Sequence, residues 1–275
     1  MTIRFICLSS GSNGNCYYIG TPTGALLIDA GISPRSIRKR LKDVGIGMES
    51  ILAVMVTHDH SDHIRGLGGI GEKLHIPVYA TAQIHEGIRR SYCMTQKLTT
   101  SARFIVKQQP LQIGDFRVEA FEVPHDGVDN VGYHISIYGR SFTFMTDLGE
   151  VTPLAAHYAR LADYLIIEAN YDVDMLRWGR YPAYLKERIA GPHGHLSNSA
   201  AARFLAEGYN GRWQYVWLCH LSADNNRPEL AEACVTEALR EKGIVVGRDL
   251  KLQALRRGMP SSLFEFTSSE GGQLL

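Results

Sequence analysis

Short apolar runs, each about the length of a β-strand and separated by glycine, proline and polar residues, recur along the chain. They predict strands at 4–8, 16–20, 25–31, 51–56, 77–80, 103–106, 116–123, 131–138, 141–145, 164–167, 214–218, 251–255 and 263–266. Apolar residues at helical spacing predict a helix that begins at Pro34 and others at 64–74, 83–90, 153–161, 182–189, 197–207 and 228–240. No linker or repeat interrupts this alternation. We therefore expect one domain over residues 1–266, with two sheets covered by helices and a flexible C-terminal tail at 267–275.

The composition is that of an ordinary globular protein. Of 275 residues, 45% are hydrophobic and 21% are charged, and the formal net charge is +1. This charge identifies no partner, and an anionic substrate would have to be attracted locally. No two cysteines form a C-x-x-C pair, so we expect buried free thiols in a reducing cytosol. No apolar run approaches a membrane span and no secretion signal precedes the first strand, so we expect a cytoplasmic protein without a membrane partner.

The densest group of reactive side chains follows the apolar run 51–56. The segment Thr57-His58-Asp59-His60-Ser61-Asp62-His63 has three imidazoles and two carboxylates in seven residues. In an extended segment, His58, His60 and Asp62 would point to the same side, and His63 would join them as the chain turns into the next helix. Imidazole and carboxylate together favour zinc, manganese or iron over calcium or magnesium. The alternative is a polar loop whose histidines face water.

Three later strands also end at residues that can bind a metal. His125 follows the strand at 116–123, Asp147 follows 141–145 and His220 follows 214–218. Taken singly, each could be a buried hydrogen-bonded histidine or a carboxylate that caps a turn. Because four strands end in this way, a site for two divalent ions, Zn²⁺ or Mn²⁺, is the better interpretation.

In this order, the residues resemble the metallo-β-lactamase-fold hydrolases over essentially the whole chain. The resemblance implies an α+β fold, a four-layer αββα sandwich of two mixed sheets flanked by helices, with the site at one edge of the sheets. The resemblance implies that one ion is bound by His58, His60 and His125. It implies that the other is bound by Asp62, His63 and His220, and that Asp147 bridges the two. It also implies that Asp29 holds the histidine loop in shape from behind the ligands, and we assign Asp59 the same role.

A narrower resemblance is to the YycJ/WalJ branch of this fold. The motifs that carry it are Ser9-Ser10-Gly11-Ser12-x-Gly14-Asn15, Leu27-Ile28-Asp29-Ala30-Gly31, Glu168-Ala169-Asn170, Gly194-His195-Leu196-Ser197-Asn198 and His220-Leu221-Ser222-x-Asp224-Asn225-Asn226. That branch implies a metal-dependent nuclease with 5′-to-3′ exonuclease activity on DNA. One departure is Tyr171, where the resemblance leads us to expect a histidine.

The branch also suggests how the reaction would proceed. A hydroxide that bridges the two ions would attack, with Asp62 and Asp147 in the catalytic group. RNase Z, of the same fold, has a comparable Glu followed by His, which implies that His195 is the general acid and that Glu168 orients it. The alternative is a Glu–His pair that only braces the pocket. The predicted polar substrate contacts are Asn170, Ser197, Ser222 and Asn226, and the candidate phosphate contacts are Arg35, Arg38, Lys39 and Arg40, or Arg177, Arg180 and Lys186.

Other functions are alternatives to a nuclease, and among them a catalytically silent binding protein fits poorly with a full set of ligand positions. A small-molecule hydrolase acting on a thioester, a lactone or a cyclic phosphodiester could use the same seven ligands, but it has no obvious need for Glu168 and His195. A di-iron oxidoreductase of the flavo-di-iron type has glutamate at the position of His60. We therefore expect nucleic acid, DNA rather than RNA, as the substrate; the sequence does not predict the oligomeric state.

Overall fold

Two seven-stranded sheets lie at the centre of the computed structural model, which describes residues 1–268. The strands of the first sheet are β1 (Thr2–Ser9), β2 (Cys16–Thr21), β3 (Gly24–Ile28), β4 (Ile51–Met55), β5 (Val78–Ala80), β6 (Ala102–Phe104) and β14 (Phe264–Thr267). The strands of the second sheet are β7 (Leu111–Ile113), β8 (Phe116–Glu122), β9 (Val131–Ile137), β10 (Arg140–Met145), β11 (Tyr164–Glu168), β12 (Tyr215–Cys219) and β13 (Lys251–Ala254). Residues 269–275, most of the predicted tail, lie outside the described part of the chain.

Both sheets are mixed in the same way. In the first, the spatial order is β14-β1-β2-β3-β4-β5-β6, and β3 to β6 run parallel. In the second, the order is β13-β12-β11-β10-β9-β8-β7, and β10 to β13 run parallel. Since parallel strands end at the same edge of a sheet, the polar residues that follow them are gathered at that edge.

Helices cover the outer faces of both sheets. Within the described residues they are α1 (Pro34–Lys42), α2 (Ser61–Ile64), α3 (Leu67–Leu74), α4 (Ala82–Arg90), α5 (Pro153–Leu161), α6 (Val173–Trp178), α7 (Ala183–Ala190), α8 (Asn198–Gly208) and α9 (Pro228–Glu241). The buried sides of α5, α8 and α9 form one apolar cluster with the outer face of the second sheet. The predicted four-layer α+β sandwich is therefore confirmed. None of these helices combines the length and the apolar character that a membrane crossing needs.

Aromatic side chains hold the inner faces of the sheets together. The ring of Phe5 in β1 lies 4.5 Å, centroid to centroid, from that of Trp217 in β12. Tyr17 in β2 lies 5.9 Å from Phe144 in β10 by the same measure. These four side chains are fully buried, and burial of such large rings is a main source of stability in a sandwich core.

Most predicted elements are found within a few residues of their expected ends, and three expectations are wrong. The helix expected at 64–74 is found only from Leu67 to Leu74, as α3. A turn at Arg65 and Gly66 separates it from the short helix α2, which ends at Ile64. The strand β7 and the helix α6 were not expected, since each is too short to show a clear period. The extended geometry expected through Asp62 ends earlier, because α2 begins at Ser61.

Candidate metal centre

The Asp29 carboxylate anchors the histidine loop that follows β4. It accepts hydrogen bonds from the Thr57 backbone N–H at 2.8 Å, from the Thr57 hydroxyl at 2.9 Å and from His63 Nδ1 at 2.7 Å. Asp29 itself has a φ of 59°, which an L-residue rarely adopts. Two residues on, a β-carbon at Gly31 would lie 1.6 Å from the Asp62 carbonyl oxygen, so only glycine fits there.

The first group of predicted ligands consists of three histidines. The ring centroids of His58 and His60 are 4.6 Å apart, and each lies 5.0 Å from that of His125. His125 Nδ1 donates to the Gly194 carbonyl oxygen at 2.8 Å, which leaves Nε2 as the nitrogen that can bind a metal. The Nε2 atoms of His58 and His125 are buried and have no hydrogen-bond partner among the described residues.

The second group consists of Asp62, His63 and His220. Because Asp29 holds His63 Nδ1, the free nitrogen is Nε2, which lies 3.6 Å from Asp62 Oδ2. His220 Nε2 lies 3.3 Å from the same oxygen. Asp62 reaches this position from the helical turn α2 rather than from an extended strand, which is the physical reason why the expected geometry was wrong.

Asp147 lies between the two groups. Its Oδ2 is 3.3 Å from His63 Nε2, and its Oδ1 is 3.9 Å from His125 Nε2. Oδ2 is buried and has no hydrogen-bond partner among the described residues. A buried carboxylate oxygen without a donor is costly, so its environment fits a cation.

The distances between donor atoms separate ligands from hydrogen-bonded pairs. Two ligands at about 2.0–2.2 Å from one tetrahedral ion are about 3.3–3.6 Å apart. The Asp62, His63 and His220 atoms have this spacing, at 3.3 and 3.6 Å. Glu168 Oε1 is only 2.7 Å from His195 Nδ1, which is a hydrogen-bond distance and too short for two ligands of one ion. The donor set suits divalent ions, and the short distance between Glu168 and His195 is that of a hydrogen bond.

Glu168 is a fully buried carboxylate that serves two histidines at once. Its Oε1 accepts from His195 Nδ1 at 2.7 Å and from His220 Nδ1 at 2.9 Å. Its Oε2 accepts from the backbone N–H groups of Leu148 and Leu196, both at 3.0 Å. The strand register explains why Glu168 lies beside His220. Glu168 ends β11 opposite Cys219, which is the residue before His220.

The carboxylates and histidines of the centre shift one another's pKa values. Burial opposes the charge on Asp147, but the surrounding histidines outweigh it and hold the pKa of Asp147 well below its usual range. Burial likewise opposes a proton on His63, but Asp147 and Asp29 raise its pKa to about 9. The pKa of His220 is raised well above its usual value, against burial, chiefly by Asp147. Bound cations would take the place of these protons.

The sequence did not single out Asp126, which lies beside the first group. Its Oδ1 is 3.4 Å from His60 Nε2 and 3.5 Å from His125 Nε2, and its Oδ2 accepts from Arg188 Nε at 2.6 Å. In the sequence, only its position directly after His125 indicates that Asp126 could belong to the site.

Asn15 is a second residue at the site that was not predicted there, although it belongs to one of the motifs of the YycJ/WalJ branch. Its side-chain amide nitrogen lies 2.9 Å from His63 Nε2.

A cavity of about 330 Å³ opens over the centre. His60, Asp62, Asp147, His195 and His220 line one side. The other side is lined mainly by residues from the segment that contains α7, namely Tyr181, Leu185, Arg188, Ile189 and Gly194. The arrangement exposes four of the predicted ligands and His195 to one common space.

The remaining predicted site residues have other partners. Asp59 accepts from the Val128 N–H at 3.1 Å and so ties the histidine loop to the segment after His125. The four predicted polar substrate contacts do not line the cavity. Instead they form hydrogen bonds within the protein. Asn170 donates to the His220 carbonyl oxygen, and Asn226 donates to the Ala169 carbonyl oxygen. Ser197 caps α8, and Ser222 accepts from the Asn225 backbone N–H.

The structure separates the basic residues of α1 into two kinds. Lys39 pairs with Asp43 at 2.7 Å, and Arg40 donates to the Leu8 and Gly258 carbonyls, so both have partners within the protein. Arg35 and Arg38 instead line a groove of about 460 Å³ together with Arg65 and Lys73. The second candidate group, Arg177, Arg180 and Lys186, lies on the segment that contains α6 and α7.

Comparison with known proteins agrees with the fold. The family model described as "Beta-lactamase superfamily domain" matches residues 25–216. The chain belongs to this superfamily and has the metallo-β-lactamase fold. It is 34% identical to the exodeoxyribonuclease YycJ of Bacillus anthracis over 264 residues, which are 96% of this chain and 99% of that protein.

Two further relatives extend the comparison. The exodeoxyribonuclease WalJ of Streptococcus pneumoniae is 34% identical over 249 residues, covering 90% of this chain and 93% of that protein. The crystal structure of the metallo-β-lactamase-fold protein YhfI from Bacillus subtilis superposes with a TM-score of 0.64 at 18% identity, covering 96% of this chain and 99% of that one. At this identity the YhfI structure supports the fold alone.

Proposed function

We propose that this protein is a two-metal phosphodiesterase that degrades DNA from an end, in the 5′-to-3′ direction. The observation that carries the proposal is the Glu168–His195 pair. A histidine with one ring nitrogen bonded to a buried carboxylate lines the same cavity as the predicted metal ligands. The names of the relatives YycJ and WalJ, both exodeoxyribonucleases, support DNA as the substrate.

Two ions, Zn²⁺ or Mn²⁺, would be held by the donor groups described above. One would be bound by His58, His60 and His125, the other by Asp62, His63 and His220, with Asp147 facing both. When bound, the pair supplies Lewis-acid polarisation of the phosphoryl group and hydroxide at neutral pH. Since only two of the seven side chains are carboxylates, the loaded centre is positive and attracts a phosphodiester locally.

His195 would protonate the leaving oxygen. Because Glu168 accepts a hydrogen bond from Nδ1, Nε2 is the nitrogen left to donate a proton to the substrate. The His195 side chain is 23% exposed and lines the cavity. Burial alone would lower the pKa of His195, but the Glu168 carboxylate outweighs it and the pKa is raised. A histidine that keeps its proton near neutral pH suits a general acid.

A substrate panel tests this function. The purified protein, loaded with Zn²⁺ or Mn²⁺, is given 5′-phosphorylated single- and double-stranded DNA, RNA, bis-p-nitrophenyl phosphate and a glutathione thioester. We expect release of mononucleotides from DNA and hydrolysis of the small diester. Cleavage of the thioester alone would reject the phosphodiesterase, and cleavage of RNA alone would reject DNA as the substrate.

A single substitution tests the role of His195. His195→Ala should keep both metal ions and slow phosphodiester cleavage by about 10²- to 10⁴-fold, the usual contribution of a general acid. The matched control is His193→Ala, which removes an exposed histidine two residues away and should change neither quantity. Loss of metal from His195→Ala would instead make His195 a ligand.

A further inference from the structure

Three aromatic residues occur at regular spacing on the segment that runs from α6 into α7, and two of them line cavities at or next to the predicted metal centre. Trp178, Tyr181 and Tyr184 occur at every third position and are hereafter called the aromatic strip. Trp178 is 76% exposed and Tyr184 is 73% exposed. Exposed aromatic rings that lie close together beside a cavity, unlike single scattered ones, indicate a surface that can contact a ligand.

The aromatic strip is continuous with the active site through Tyr181. This residue lines the cavity over the metal centre and also a neighbouring cavity of about 610 Å³ around Trp178, Gly179 and Arg180. Its hydroxyl donates to Asp224 Oδ2 at 2.7 Å, which fixes the ring at the boundary between the two cavities. A chain bound over Trp178 would therefore reach the predicted ligands directly.

The charge of the same segment is positive. From Met175 to Lys186 the sequence contains Arg177, Arg180 and Lys186 and no acidic residue. The Arg177 guanidinium lies 5.0 Å from the centroid of the Trp178 ring, and Lys186 Nζ donates to the Arg177 carbonyl at 2.8 Å, which ties the end of α6 to α7. Among the described residues, Asp224 is the one carboxylate that lines the cavity around Trp178, and it accepts a hydrogen bond from the Tyr181 hydroxyl.

Exposed aromatic rings interspersed with arginines are the arrangement that binds unpaired nucleotides, because every base can stack on a ring and every phosphate is anionic. We propose that the aromatic strip, with Arg177 and Arg180, binds the single-stranded part of a DNA substrate and leads it to the metal centre. The inference rests on the proposed phosphodiesterase function. A duplex, whose bases are already stacked and paired, should bind this surface more weakly.

The tryptophans of the chain provide a direct measurement. Of three tryptophans, Trp213 and Trp217 are fully buried, so Trp178 is the one that a strand can reach. The full-length, metal-loaded protein is titrated with a 12-residue oligothymidylate whose phosphorothioate links resist hydrolysis. Saturable quenching of tryptophan fluorescence is expected, and its absence would overturn the proposal.

Variants test the same surface by anisotropy of a fluorescein-labelled strand. Trp178→Ala should raise the Kd by about tenfold to a hundredfold, the usual effect of losing one stacked base, and Trp178→Phe should restore most of the affinity. The matched control is Tyr92→Ala, because Tyr92 is 92% exposed and lines neither cavity. If Arg38→Ala weakened binding and Trp178→Ala did not, the strand would follow the groove beside α1 and the proposal would be wrong.

The failure of this inference can be told apart from failure of the proposed function. Hydrolysis of bis-p-nitrophenyl phosphate by the unsubstituted protein reports the metal centre and needs no stacked base. A protein that hydrolyses this diester but binds the strand equally well with and without Trp178 rejects the aromatic strip alone. A protein that binds the strand through Trp178 but hydrolyses no phosphodiester rejects the proposed function alone.

Discussion

Replacement of Glu168 by glutamine should damage acid catalysis and metal binding together. In the native protein Oε2 accepts from two backbone N–H groups, and Oε1 accepts from His195 Nδ1 and His220 Nδ1. A glutamine must keep its oxygen towards the two backbone donors, so its NH₂ group faces both imidazoles. Each imidazole must then move its proton from Nδ1 to Nε2, and Nε2 is the nitrogen with which His220 would bind the metal.

The size of the effect follows from the bonds that are lost. Two hydrogen bonds to a charged carboxylate are removed, and each contributes about 1.5–3 kcal/mol, or about 3–6 kcal/mol together. At about 1.4 kcal/mol per factor of ten, kcat/KM should fall by about 10²- to 10⁴-fold. The affinity of the ion bound through His220 should also fall, by about 10- to 100-fold, as when a supporting group of a metal ligand is removed.

The assay measures hydrolysis of single-stranded DNA, whose alkoxide leaving group needs a proton, and metal content by elemental analysis on the same samples. Glu168→Gln should lose activity and metal, whereas His195→Ala should lose activity alone. Glu150→Gln, at an exposed position, is the matched control and should change neither. A Glu168→Gln protein with two bound ions and a kcat/KM within about threefold of the native value would refute the reasoning, since that ratio corresponds to well under 1 kcal/mol.

Three further changes test other parts of the structure. Gly31→Ala places a β-carbon against the Asp62 carbonyl and should lower the free energy of unfolding in urea by about 1–3 kcal/mol or more, with loss of bound metal. Burial lowers the pKa of His134 from 6.5 to about 4, so the folded state binds fewer protons than the unfolded state in this window. Stability should therefore fall by about 3–4 kcal/mol as the pH drops from about 6.5 to about 4, and a His134→Gln variant should lack this component. Asp126→Asn removes a charge beside His60 and should weaken metal binding by about tenfold in a chelator competition.

Matched variants give each of these experiments its control. Gly208→Ala adds a β-carbon whose nearest contact is an ordinary 3.5 Å, so stability should hardly change. His157→Gln replaces an exposed histidine and should leave the pH dependence of unfolding as it is. Asp174→Asn removes an exposed carboxylate and should leave metal affinity unchanged. A test variant that behaves like its control would contradict the corresponding prediction.

The sequence could predict the parts of the centre that are local. The order of strands and the polar residue after each strand indicate where ligands gather, because the ends of parallel strands meet at one edge. It could not predict that Asp62 enters from a helical turn, since a four-residue helix has no measurable period. It also could not predict the bond between Asp126 and Arg188, which joins residues 62 positions apart and depends on how α7 packs over the cavity.

Hydrogen bonds within the protein orient the predicted metal ligands. His63, His125 and His220 each have Nδ1 bonded to a protein oxygen, from Asp29, Gly194 and Glu168 respectively, so each ring turns its Nε2 towards the predicted metal centre. Asp29 and His220 adopt positive φ values of 59° and 53°, a conformation that costs about 1–3 kcal/mol each and persists only where other contacts enforce it. Those contacts are present: Asp29 accepts three hydrogen bonds, and the His220 N–H donates to Ser10 Oγ at 2.8 Å. Because Glu168 supports both a predicted ligand and the proposed acid, the same buried carboxylate fixes the position of His195 relative to the metal centre.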